Sequence, residues 1–149
     1  MKSYDEESIG RLIYLTTQAM TLHAEKALKP YRLTVEQFIL LKNMSQHDVL
    51  SQNQLCEIVE KSAANVTRIL DRLEKKVFIT RKQNPADRRS ILLSLTDQGK
   101  EMVEDVGTLF ESFSKHIIQG VSSQEQTQFT GILHKIRINL DTFTNSSFR

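Results

Sequence analysis

Between Ser51 and Thr96 the apolar and polar positions fall into two short helical stripes followed by two strand-like runs. Ser51, with Gln54 three residues on, is a capping-box signature. Leu55, Ile58 and Val59 lie on one face of the helix it opens. The pattern lapses at Glu60 and Lys61. Ser62 then has the chemistry of an N-cap for a second helix over 62–77, whose inward stripe is Val66, Ile69, Leu70, Leu73 and Val77. Lys61, Asn65, Arg68, Arg72 and Lys75 recur at helical spacing and share the opposite face. Phe78 to Lys82 and Ser90 to Leu95 read as paired strands. Asn84 and Pro85 mark the turn between them, since proline cannot continue a ladder.

The flanks are helical. Ser3 with Glu6 predicts the cap of a first helix carrying Ile9, Leu12, Ile13, Thr16, Met20, His23 and Ala27, which Lys29-Pro30 ends. Thr34 with Gln37 is a further capping box, opening a helix through Phe38, Leu41 and Met44 that closes at Ser45 to Asp48. Thr96 caps a long helix with Met102, Val103, Val106, Phe110, Phe113 and Ile117 inward, ended by Gly120. Ser123 with Gln126 starts a last one bearing Phe129, Ile132, Leu133, Ile136, Leu140 and Phe143, and the tail from Thr144 is expected to fray. The fold class is therefore mainly α, a winged helix-turn-helix with a small β-hairpin wing and long N- and C-terminal helices. Residues 34–96 form the winged unit, and 1–33 with 97–149 form dimerisation helices, as one continuous structural unit. A protomer of 149 residues would struggle to cover three long apolar faces, so two-fold packing in a homodimer is expected.

Charge sharpens this picture. Lys61 to Arg89 holds nine Lys or Arg against three acids, a local net of +6 in a chain whose total is +2, so the remainder sums to −4. Such concentration is the electrostatic footprint of a nucleic-acid binder. A helix committed to a core on one side and cationic on the other suits the DNA major groove. Asn65, Thr67 and Arg68 are the candidates for base edges, and Ser62, Arg72 and Lys75 for phosphates. At the tip of the hairpin (83–90), Arg88 and Arg89 suit a minor groove, with Asp87 orienting one of them by a bidentate pair. A two-fold dimer would place its recognition helices roughly 34–36 Å apart and call for a palindromic operator in double-stranded DNA. The alternative is a winged helix that binds a protein partner, against which the local charge and the twin arginines speak.

Other classes find little support. Met1 to Glu7 is polar with three acids and no apolar run follows, so neither an export signal nor a membrane span is expected. The single cysteine fits a reducing cytoplasm. Cys56 is read as a small buried hydrophobe, and Phe110, Phe113 and Phe129 as core. His23, His47, His116 and His134 are scattered, so no metal site is expected. The chain has no Gly-rich phosphate loop, HExxH or CxxC, and no catalytic site or cofactor is expected.

The segments LTVEQFILL (33–41), NQLCEIV (53–59), SAANVTRILDRLEKKVFITR (62–81) and above all ADRRSILLSLTDQGKE (86–101) resemble the MarR family of winged-helix transcriptional regulators. The specific part is Asp87-x-Arg89 in the wing, followed by Leu95-Thr96-x-x-Gly99. The resemblance implies a homodimeric repressor of this fold, released from DNA by a small, often aromatic or phenolic, effector. One position departs from the family. Where its members carry glycine after the recognition helix, this chain has Val77, and valine resists positive φ.

Overall fold

The computed structural model describes residues 8–147, so the Ser3 cap lies outside the described residues. Helix α1 (Ile9–Leu28) starts at Ser8, whose Oγ accepts the Arg11 N–H at 3.2 Å. A 3-10 turn (Lys29–Tyr31) with Pro30 in its first turn ends it. Helix α2 (Val35–Met44) has the expected capping box at Thr34 and Gln37. Strand β1 (Leu50–Ser51) leads into α3 (Gln52–Val59), capped reciprocally by Ser51 and Gln54, and α4 (Ala63–Lys75) follows with Ser62 as N-cap. Strands β2 (Ile79–Gln83) and β3 (Ile91–Leu95) form the hairpin, each starting one residue later than the apolar pattern predicts. The antiparallel sheet has the order β1-β3-β2, with Ile79 opposite Leu95, Gln83 opposite Ile91, and Leu50 opposite Leu93.

Helices α5 (Asp97–Ile117) and α6 (Ser123–Ser147) complete the chain. Two serines compete to cap α6, and the choice falls one residue before the expected Ser123. Ser122 holds the cap: the Glu125 carboxylate accepts the Ser122 N–H at 2.8 Å and the Glu125 N–H reaches Ser122 Oγ at 3.3 Å, while Gln126 Nε2 donates to Val121 O at 2.8 Å instead. Gly120 takes φ +82 in the turn between the helices.

The chain divides into two compact units, one ending at Phe113 and the other starting at Ser114. The first holds the core: Leu28, Phe38, Leu41, Leu55, Leu70, Leu73 and Leu93 are almost wholly buried, and Phe38 stacks on Phe110 at 4.4 Å. The long helices differ from expectation. On α1 the buried positions are Ala24 and Leu28, while Ile9, Leu12 and Met20 are exposed. On α5 only Val106 of the expected stripe is fully buried, and Ile117 is exposed. On α6 Phe129 is 59% and Ile132 50% exposed, so Phe129 is not core within this chain. Periodicity reports which face is apolar, but not what covers it. No described helix is long and apolar enough to cross a membrane.

The exit from α4 explains the valine. The Val77 N–H bonds Glu74 O at 2.9 Å and the Phe78 N–H bonds Leu73 O at 3.1 Å, a Schellman pair, with Phe78 and Leu73 both buried. That motif demands positive φ at residue 77, and Val77 adopts φ 61 with its side chain 59% exposed. Val77 is therefore outside the helix and off the inward stripe. Left-handed backbone costs a β-branched residue roughly 1–2 kcal/mol, and the exposed side chain returns little by burial. Val77→Gly is expected to raise stability by about 1 kcal/mol after glycine's own entropy cost. Thermal unfolding checks this; a loss of more than about 1 kcal/mol would contradict the strain.

Candidate nucleic-acid interface

Helix α4 is anchored by Val66, Ile69, Leu70 and Leu73, all buried. That anchorage fixes which way the remaining positions point. Ser62, Asn65, Arg68, Arg72 and Lys75 are exposed together, and Ser62 Oγ accepts the Asn65 N–H at 3.4 Å. Thr67 does not join them. It is half-buried, and its Oγ1 accepts a hydrogen bond from Gln52 Nε2 at 2.8 Å, because residue 67 faces α3 rather than solvent. Gln52 and Thr67 thus clasp the two helices of the helix-turn-helix, a pairing no local pattern announces.

The wing is ordered by its own backbone. Asn84 N–H bonds Ser90 O at 2.9 Å, Ser90 N–H bonds Asp87 O at 2.9 Å, and Asp87 N–H bonds Asn84 O at 3.2 Å. Asn84 Oδ1 accepts the Ala86 N–H at 3.0 Å, and Gln83 Nε2 donates to Arg88 O at 2.8 Å. Asp87 behaves differently from expectation. Its Oδ1 accepts the Arg89 backbone N–H at 3.0 Å, a side-chain turn that competes with any guanidinium pair. It shapes the tip and leaves the arginine side chains outward.

At the root of the wing, Thr96 joins four elements. Its Oγ1 donates to Val77 O at 2.6 Å and accepts the Gly99 N–H at 3.0 Å, and its own N–H donates to Phe78 O at 3.1 Å. The end of α4, both wing strands and the start of α5 are thereby fixed to one another.

Charge counting alone overstates the free cations. Arg81 is clamped by Asp71 at 2.5 Å and Glu74 at 2.6 Å. Its hydrogen bond to Glu74, and then that to Asp71, raise its pKa against the opposing effect of burial. Lys61 pairs with Glu36 at 2.9 Å. Lys76 donates to Arg32 O and Gln37 Oε1. Among the described residues, Arg68, Arg72, Lys75, Lys82, Arg88 and Arg89 keep their charged ends without a protein partner. Lys82, exposed on β2, enters the charge count but carries no motif that singles it out. Cys56 is half-buried rather than buried, and burial, with Glu57 adding to it, pushes its thiol pKa up. No group of three or more His, Cys, Asp or Glu among the described residues could hold a metal ion.

A capped helix-turn-helix with one cationic face, joined rigidly to a basic hairpin, defines a DNA-binding transcriptional regulator of the winged helix-turn-helix class. Residues 33–91 match the model of the MarR family. The chain belongs to that family. It is 31% identical over 136 residues to the HTH-type transcriptional regulator BilQ of Clostridioides difficile (strain CD3), covering 91% of this chain and 92% of the relative. To the HTH-type transcriptional regulator YdgJ of Bacillus subtilis (strain 168) it is 35% identical, covering 93% and 78%. Among solved structures, the MepR–DNA complex of S. aureus superposes with a TM-score of 0.87 at 26% identity, covering 91% of this chain and 99% of that one. A mutant of E. coli MarR complexed with operator DNA gives 0.80 at 26% identity, covering 86% and 92%.

Proposed function

We propose that the protein is a homodimeric repressor, acting in the cytoplasm, that binds a palindromic operator. The observation that carries this reading is the set of six cations left without internal partners, grouped on the outer face of α4 and on the hairpin. Helix α4 lies in the major groove, with Asn65 and Arg68 at base edges and Ser62, Arg72 and Lys75 on phosphates. Thr67, held by Gln52, steadies the helix rather than reading a base. Arg88 and Arg89 enter the minor groove.

The exposed Ile9, Leu12 and Leu15 of α1 and Phe129, Ile132 and Ile138 of α6 support dimerisation through the terminal helices. Two-fold symmetry then sets the palindrome. A small aromatic or phenolic effector, the class the family resemblance implies, would release DNA by favouring a spacing of the two recognition helices that the operator does not fit.

The test is fluorescence anisotropy with a duplex taken from upstream of the gene itself, against a scrambled duplex, titrated across salt. Saturation at two protomers per duplex, with preference for the upstream sequence and steep weakening by salt, is the expected result. Absence of binding to either duplex at low salt would overturn it in favour of a winged helix that meets a protein.

A further inference from the structure

Lys76 is one of the nine cations between Lys61 and Arg89, directly after Lys75. Its side chain turns the other way. The half-buried ammonium donates to the Arg32 carbonyl and to Gln37 Oε1, the latter at 3.2 Å. Gln37 is only 4% exposed, and the same oxygen accepts the Thr34 N–H at 3.2 Å. Lys76 is the C-cap residue of α4, so these bonds tie the end of that helix to the corner between α1 and α2.

A second tie serves the other end. Lys61, just before the Ser62 cap, pairs with Glu36 in the same first turn of α2. That turn is joined in turn to α1, because Glu25 Oε1 accepts the Val35 N–H at 2.9 Å. Both ends of α4 are thus braced against residues 32–37.

We propose that Lys76 is a positioning residue for operator recognition, one that sets the seat of α4 against the α1–α2 corner, and not a phosphate ligand like Arg72 and Lys75. The inference rests on α4 being the DNA-reading helix. Its surroundings agree: burial first, then the nearby Arg32 and Arg72, hold the Lys76 pKa below the usual lysine range. A phosphate-facing lysine at the surface would not be desolvated in the free protein.

The two roles separate by salt dependence. Losing a phosphate contact lowers the slope of log K against log salt by about 0.9 per protomer and weakens all duplexes alike. For K76M, operator binding is expected to weaken about tenfold while the salt slope and the affinity for a scrambled duplex stay as in the wild type. K76R is expected to restore most of the loss. In a Q37A background, where part of the tie is already gone, the K76M effect should shrink. This double-mutant cycle remains informative if K76M alone costs stability. A slope lower by about 0.9 per protomer, with equal loss on both duplexes, would make Lys76 a phosphate ligand and overturn the proposal. So would unchanged operator affinity. Failure of the wild type itself to bind any duplex would overturn the reading of α4, and this inference with it.

Discussion

Gly99→Ala is expected to lower stability by about 3 kcal/mol, the upper end of what overpacking a buried position usually costs. A Cβ at residue 99 would lie 2.0 Å from the carbonyl oxygen of Phe78 and 3.0 Å from its carbonyl carbon. What it meets is backbone, so no side chain can swing aside. That carbonyl also accepts the Thr96 N–H, and Phe78 is itself buried, so neither partner can retreat without breaking the wing root. Gly107→Ala supplies the matched control, since nothing lies within 4 Å of a Cβ there and alanine is the better helix former. Thermal or urea unfolding of the two variants side by side checks the claim. A Gly99→Ala protein within about 1 kcal/mol of the wild type would contradict the close approach of α5 to Phe78.

Replacing Arg88 and Arg89 together with alanine should abolish most operator discrimination while leaving the fold intact. Each arginine at a groove is worth roughly 1–3 kcal/mol of affinity, and each lost phosphate contact lowers the salt slope by about 0.9. The tip is held by bonds among Gln83, Asn84, Asp87 and Ser90 that involve neither guanidinium, so the melting temperature should not move. Arg89→Ala alone should cost roughly 1–3 kcal/mol. Anisotropy measured on both variants decides the matter, and unchanged binding would remove the wing from the mechanism.

What could be read from the sequence follows the range of the forces involved. The caps at Thr34, Ser51 and Ser62 rest on side chains that reach three residues along the chain, and local pattern is enough to find them. The awkward position of Val77 was legible for the same reason, because the helix exit is a local motif. Where two local solutions compete, as at Ser122 and Ser123, the pattern narrows the choice without making it. Contacts across the fold are another matter. Nothing near Thr67 announces Gln52, and nothing near Lys76 announces Gln37; both pairings exist only once the core has brought α3, α4 and α2 together. Arg81 shows the sharpest difference between counting charges and placing them. It is one of the nine cations counted between Lys61 and Arg89, yet two carboxylates from α4 hold it. The terminal helices differ for another reason: their apolar faces are plain in the sequence, but Ile9, Leu12, Phe129 and Ile132 stay exposed, because periodicity marks an apolar face and not its cover.

The ordering of the wing tip has a consequence for the kind of contact it can make. Loops that capture anions often do so with a ring of unengaged backbone amides. Here the amides of Asn84, Ala86, Asp87, Arg89 and Ser90 already donate within the hairpin. The tip therefore offers a bound molecule almost nothing but its two guanidinium groups. These are planar, permanently charged forks, and a lysine could not reproduce their geometry. On the proposed reading, variation at residues 88 and 89 would change how the tip engages DNA, whereas Asn84 and Asp87 accept the backbone bonds that give the tip its shape.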